Sequence, residues 1–240
     1  MLHQIHLSGK NIDYQLKRSR RRSIGLKINH RGLQVSVPFN LPITDIDSVL
    51  RNKADWILKK LATWHNKIPL NSAGTEHVNG QYLLLGGFWK PALSTCRQIQ
   101  MTPAHDNAAT ISSDFDTLFT PEQIRKWIMA WYQQQAVTCF SERIALYAEK
   151  LNVPKPSFKL SQARTRWGSC NSRSIIRLNW QLIQLPLYLI DYVVAHELCH
   201  LIEMNHSKAF WKLVASIYPD YQQARSELKK YKFVHPVTTM

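Results

Sequence analysis

The sequence predicts an α+β chain, with strands gathered first and helices later. Alternation of the strand type dominates up to about residue 104, and apolar spacing of three and four residues dominates from about 120. With 45% hydrophobic and 10% aromatic residues, and only 8 Gly and 11 Pro in 240 residues, the chain can bury a core and is neither disordered nor collagen-like.

The first strands are Ser23-Ile24-Gly25-Leu26-Lys27-Ile28 and Leu33-Gln34-Val35-Ser36-Val37-Pro38, alternating runs joined by the turn-forming 29–32. Thr44 is placed to cap a helix over about 45–65, in which Ile46, Val49, Leu50, Ile57 and Leu61 recur on one face. The polar stretch 66–80 leads to two strands, 82–85 and 89–93, around Gly86-Gly87, and 102–117 reads as a linker. Thr120-Pro121-Glu122-Gln123 combines an N-cap, a first-position Pro and a third-position Gln. It opens a helix to about Leu151, which Pro154 and Pro156 keep from continuing. Strands at 158–161 and 174–179 precede a helix at 186–202 and helical stretches at 207–217 and 220–231. Two regions result: a basic, β-rich 1–104 with one helix, and 120–235, which carries the chemistry.

Lys and Arg total 31 against 16 Asp and Glu, a formal +15 that attracts polyanions. Five cations fall within Lys17-Arg18-Ser19-Arg20-Arg21-Arg22, and Arg164, Arg166, Arg173 and Arg177 cluster further on. The partner expected at this basic surface is DNA or a nucleotide; the bland alternative is a solvated strand edge. No uncharged apolar run reaches 18 residues, so no membrane span is expected. Cys96, Cys139, Cys170 and Cys199 form no CxxC pair, which argues for reduced thiols and a cytoplasmic location.

The chemistry concentrates in His196-Glu197-Leu198-Cys199-His200. Two imidazoles four residues apart on a helix share a face, so both can reach one metal ion. Glu197, one step round, is placed beside the metal, where a base for an attacking water is needed. Composition gives this HExxH pattern a chance expectation of about 0.01 in a chain of this length, and Val193, Val194, Leu198 and Leu201 make the flanking faces apolar. A catalytic zinc takes three protein ligands, and two side chains compete for the third place. Glu203 continues the helical face but lies about 10 Å along the axis from His196. His206 is favoured if the helix ends near Met204 and Asn205 takes a left-handed conformation, turning the chain back. Glu203 would then orient an imidazole or stand as a surface charge.

His196-Glu197-Leu198-Cys199-His200 with Asn205-His206-Ser207, Phe210 and Trp211 downstream, and Trp167-Gly168-Ser169-Cys170 and Ile176-Arg177-Leu178-Asn179 upstream, closely resembles the YgjP-like zinc-dependent metallopeptidases, relatives of the SprT-like and WLM-domain proteases. The Arg21-Arg22-Ser23-Ile24 hairpin and the helix with Lys53-Ala54-Asp55-Trp56-Ile57 are also similar to that family. The resemblance implies a minimal zincin-like catalytic part, an active-site helix beside a small sheet. It also implies Zn2+ held by His196, His200 and His206, with Glu197 as general base. Where related long zinc motifs place a Gly three residues after the second His, this chain has Glu203.

A zinc-dependent hydrolase is therefore expected, first as a metalloendopeptidase acting on unfolded or extended polypeptide, with the Trp167-Gly168-Ser169-Cys170 segment beside the substrate. The alternative is a nucleoside triphosphate phosphohydrolase, since Arg side chains suit phosphate oxygens; a non-catalytic nucleic-acid-binding protein comes third. Cys170 has no His and Asp partners suited to a nucleophile, and Cys199 reads as a core thiol. Tyr192 and Arg166 lie in range of the site as oxyanion stabilisers, with packing the simpler role for Tyr192.

Overall fold

The computed structural model describes residues 2–29, 32–70, 80–94, 99–104, 118–163 and 165–233. Residues 105–117 of the expected linker, 71–79 of the polar stretch, the turn residues 30 and 31, Cys96 and Arg164 lie outside the described residues. The chain divides into two compact units, Met1–Ile68 and Pro69–Met240.

In the first unit a four-stranded sheet runs in the order β1 (Leu2–Leu7), β2 (Lys10–Ser19), β4 (Gly32–Pro38), β3 (Gly25–Asn29). The pairs β1–β2 and β3–β4 are antiparallel, and β2–β4 is parallel. Ser8 and Gly9, both at positive φ (44° and 81°), close the first hairpin in the conformation a two-residue turn requires. Alternation puts Ile5, Leu7, Tyr14, Leu33, Val35 and Val37 on one face. Ile46 and Leu50 of α1 (Ile43–Asn52) and Ile57 of α2 (Ala54–His65) complete that core. The single helix expected over 45–65 is thus two, broken at Lys53 (φ −108°, ψ 14°). Thr44 is not its cap: Pro42, with φ −61° and extended ψ 151°, ends the incoming segment and lets α1 start two residues earlier.

The second unit is built on α3 (Pro121–Lys150), which begins with the expected capping box: Gln123 N–H donates to Thr120 Oγ1 (3.3 Å), and Thr120 N–H to Gln123 Oε1 (2.8 Å). An antiparallel sheet holds β5 (Tyr82–Leu84), β6 (Gly87–Leu93) and β7 (Ile99–Pro103). These strands belong to the second unit, so the division falls at 68/69 and not in the 104–120 stretch suggested by composition. The reason is local hydrogen bonding. Tyr132 Oη donates to the Leu83 carbonyl (2.7 Å), and the N–H groups of Leu85 and Gly86 donate to the carbonyls of Ile183 and Gln184.

A second sheet runs β9 (Gly168–Cys170), β10 (Ile176–Asn179), β8 (Phe158–Ser161), with β10 antiparallel to β9 and parallel to β8. A 3-10 turn (Trp180–Gln184) leads into α4 (Leu187–Cys199), then α5 (Lys208–Ile217) and α6 (Tyr221–Leu228). No helix among the described residues is long and apolar enough to cross a membrane.

Helix α4 is enclosed on nearly every side: Leu189, Ile190, Val193, Val194, Ala195, Leu198 and Cys199 are all buried. Two carboxyl groups lie within that surface, Glu197 and Asp191, and the Asp191 carboxylate accepts a bidentate pair from Arg143 of α3 (Nε–Oδ1 2.5 Å, Nη2–Oδ2 2.8 Å). Removing one partner of a mostly buried pair leaves the other charge uncompensated. Asp191→Ala is expected to cost about 3 kcal/mol. That lowers the melting temperature by roughly 6–12 °C for a unit of this size. Calorimetry checks it, and an unchanged melting temperature would make the pair equivalent to a solvated one.

Candidate metal centre

Helical geometry brings His196 of α4 and His200, the residue that caps its C-terminus, onto one face, and the turn that follows brings His206 back to them. One ligand nitrogen from each of the three lies within 4.8 Å of the other two. The imidazole centroids are 5.0 Å apart for His196–His200 and for His196–His206, and 4.8 Å for His200–His206. Glu203 is not in this group. Its carboxylate turns to the Asn205 N–H (3.4 Å), while its main-chain carbonyl faces His200 Nδ1 (3.1 Å).

The chain turns earlier than expected. Helix α4 ends at Cys199, five residues before Met204, and Asn205 is not among the described residues with positive φ. The N–H groups of Leu201 and Ile202 bond to the Leu198 and Cys199 carbonyls, a tighter three-residue step. Beyond this turn the Glu203 carbonyl meets the His200 Nδ1 instead of a backbone N–H one turn on. Ser207 then caps α5, its Oγ accepting from Phe210 N–H (3.2 Å), which fixes the chain just after His206.

The donor chemistry fits a divalent metal. Since a carbonyl only accepts, His200 Nδ1 carries the proton and its Nε2 keeps a lone pair. His196 and His206 direct their Nε2 atoms at each other, 3.0 Å apart. Two imidazoles on one tetrahedral zinc at about 2.0–2.1 Å would hold their nitrogens roughly 3.3 Å apart, close to this spacing. Burial, then the neighbouring His200 and His206, then Arg225, push the His196 imidazole down to about 3, so it is neutral and ligand-ready. His196 Nδ1 is buried without a hydrogen-bond partner among the described residues.

The Glu197 side chain lies against β9. A Cβ on Gly168 would fall 2.6 Å from both Cγ and Oε1 of Glu197, so only glycine leaves room for the carboxylate there. Burial raises the Glu197 carboxyl to about 7, against the opposing charge of Arg166 and a hydrogen bond from the Cys170 N–H. Asn179 braces this strand: its N–H donates to the Trp167 carbonyl (2.8 Å), and its Nδ2 to the Ala163 carbonyl (2.7 Å).

That raised carboxyl has a consequence for stability. The folded, metal-free protein keeps a proton on Glu197 that the unfolded chain releases from about pH 4.5 upward. Stability therefore falls as pH rises from about 4.5 through 7, by about 3 kcal/mol in all. Glu197→Gln removes that loss. With metal chelated, the variant should melt within a degree or two of wild type at pH 4.5 and several degrees above it at pH 8; a constant difference across pH would contradict the burial effect.

Other expected residues fall as follows. Tyr192 is buried with its ring edge against His196 (5.9 Å), and burial pushes its hydroxyl up to about 12. Arg166 is exposed and felt by Glu197. The Cys170 thiol is raised by burial and then by Glu197, and Cys199 is raised to about 12 by burial, so neither is an activated thiolate.

Three site residues were assigned no role from sequence. Phe210 lies within 4.5–4.9 Å of all three imidazole centroids and forms an apolar floor beneath them. Trp211 stacks on His206 (5.7 Å, 28°), and the Arg225 guanidinium lies over Trp211 (4.6 Å). Phe210 and Trp211 were legible as the aromatic pair following His206; Arg225, on α6, carries no motif signal. Beyond Trp211 opens a cavity of about 620 Å³ lined by Lys208, Lys212, Tyr221, Arg225 and Lys229, with no carboxylate on its walls among the described residues.

Residues 22–231 match the family model described as YgjP-like, metallopeptidase domain. A curated relative, the UTP pyrophosphatase of Escherichia coli (strain K12), is 32% identical over 80 residues, 32% of this chain and 48% of that protein. The match thus spans about half the length of that relative. Among solved structures, the crystal structure of the metallopeptidase zymogen of Pyrococcus abyssi abylysin aligns with a TM-score of 0.36 at 17% identity, covering 40% of this chain and 99% of that one.

Proposed function

The chain belongs to the YgjP-like metallopeptidase-domain family, and from that membership we propose that it is a zinc metalloendopeptidase of the HExxH type. The family makes it a metal-dependent hydrolase; the peptide substrate, the zinc and the residue roles are our reading. The observation that carries it is the convergence of His196, His200 and His206 beside a buried Glu197.

The three imidazoles would hold the metal. A zinc ion held there would supply polarisation of the scissile group and would favour ionisation of water. Glu197 takes the proton of the attacking water and returns it to the leaving nitrogen. Its carboxyl, raised to about 7 by burial, suits both transfers near neutral pH. Strand β9 supports an extended polypeptide as substrate: it lies at the edge of its sheet, paired only with β10 among the described residues, and its Cys170 N–H is tied to Glu197. A polypeptide added as a further strand would pass directly over the base.

A second reading, hydrolysis of nucleoside triphosphates, is favoured by two observations. One is the 80-residue likeness to a UTP pyrophosphatase. The other is the cation-lined cavity beside His206, where Arg225, Lys208, Lys212 and Lys229 suit phosphate oxygens and Trp211 and Tyr221, stacked at 5.3 Å, offer a flat apolar wall. Phosphorus replaces carbonyl carbon as the centre attacked, and Glu197 keeps its role.

One panel separates the two. Zinc-loaded wild type and Glu197→Gln are given an unfolded protein and, separately, UTP and the other nucleoside triphosphates. The peptidase reading expects Glu197-dependent peptide cleavage. Glu197-dependent pyrophosphate or phosphate release without proteolysis overturns it in favour of the second.

A further inference from the structure

The positive charge of the chain is unevenly distributed. Residues 1–68 hold 13 of the 31 Lys and Arg but only 4 of the 16 Asp and Glu, a net +9 out of the formal +15. The fold of the first unit then sorts these charges. Since its core residues take one face of the sheet, the opposite face carries the intervening positions. Gln4 of β1, Asp13, Gln15 and Lys17 of β2, Gln34 and Ser36 of β4, and Lys27 of β3 all point there.

The register aligns these side chains in two rows. Gln15, Gln34 and Lys27 are cross-strand neighbours, with Gln34 Nε2 donating to Gln15 Oε1 (3.1 Å); Lys17, Ser36 and Gly25 form the next row. Gly25 has no side chain, and the Arg21 guanidinium occupies the room: a Cβ on Gly25 would fall 2.6 Å from its Nη2. Arg21 therefore lies on the same face as Lys17 and Ser36, and its buried Nε has no hydrogen-bond partner among the described residues. Arg20 and Arg22 are exposed at the same end of the sheet. Arg18 is committed elsewhere, donating to the Phe39 and Leu41 carbonyls (2.7 and 2.8 Å). The one acid on the face, Asp13, sits toward the opposite end and is engaged by the Gln4 amide (2.9 Å).

We propose that this open sheet face binds the phosphate backbone of nucleic acid through Lys17, Arg21 and Lys27, with Arg20 and Arg22 at its rim. Charge complementarity selects a polyanion, and a guanidinium beside ammonium groups and amides suits phosphate oxygens. Among the described residues the face presents no Phe, Tyr or Trp side chain, and its one imidazole, His6, is engaged with Asn11 Oδ1 (2.7 Å), so recognition is through the backbone, without sequence preference. The site lies within the first unit and uses none of the metal-centre residues.

The test uses the full chain, labelled 20-base-pair DNA and RNA duplexes, and a polyglutamate peptide of equal charge, followed by fluorescence anisotropy from 50 to 300 mM KCl. About three phosphate contacts give a slope of log affinity against log salt near −3. Lys17→Glu with Lys27→Glu should weaken duplex binding at least tenfold, and Arg21→Gln should reduce the slope by about one. Lys59→Glu with Lys60→Glu, on α2, makes the same change in net charge on the opposite layer and should change affinity less than twofold. Hydrolysis by all these variants should match wild type, so this inference can fail while the metal centre stands. Equal weakening by the two double variants, or binding of polyglutamate as tight as that of duplex, would overturn it; the DNA and RNA arms identify which nucleic acid is preferred.

Discussion

Glu197→Gln should lower turnover by about 10²–10⁴-fold while leaving the metal in place. Glutamine is isosteric, so it fits the space left by Gly168 and still accepts from the Cys170 N–H. What it loses is the ability to carry a proton. Because the residue faces β9 and is not one of the three converging imidazoles, metal content by mass spectrometry should equal that of wild type. The loss belongs in kcat, with KM little changed, since the interaction removed is one made in the transition state. A variant with undiminished kcat would remove Glu197 from the mechanism, whichever substrate is used.

His206→Ala should weaken metal binding by more than about 100-fold, beyond the 10–100-fold that loss of an outer partner costs. His206 is exposed and comes from outside the helix, so its truncation leaves the α4 core untouched and isolates the ligand contribution. Glu203→Ala is the matched comparison. Its carboxylate serves only the Asn205 N–H among its described bonds, and the carbonyl that meets His200 survives the substitution. Metal affinity of Glu203→Ala should therefore stay within about tenfold of wild type. The reverse order of effects, measured by competition with a chromophoric chelator, would make Glu203 the third ligand.

The site was legible in sequence where local spacing determines geometry. His196 and His200 share a helix face by periodicity alone, and Glu197 follows from its position between them. His206 was legible only as the better of two choices, because its placement depends on where the helix ends. The helix ends five residues early, at Cys199, and His200 Nδ1 meets the Glu203 carbonyl beyond that end, a contact that apolar patterning does not report. Arg225 and the basic cavity depend on packing of α6 against α5, a long-range relation with no local signature.

The same division holds for the fold. The capping box at Thr120 and the alternating strands of the first unit follow from residue type at fixed offsets. Three-residue strands such as β9 are too short for alternation to reveal, and β9 is held by pairing with β10 and by Asn179. The unit boundary at 68/69 was hidden for a related reason: Leu83, Leu85 and Gly86 join the second unit through main-chain bonds that composition does not encode.

Three imidazoles, and no carboxylate, are expected to bind the metal. X-ray absorption at the zinc edge on the loaded, substrate-free protein tests it most directly. Three imidazole nitrogens at about 2.0–2.1 Å, with their outer-ring scattering, and one light atom from solvent are expected. That signature should fall to two imidazoles in His206→Ala and be unaltered in Glu203→Ala. A wild-type shell with only two imidazoles and a protein carboxylate would contradict the account.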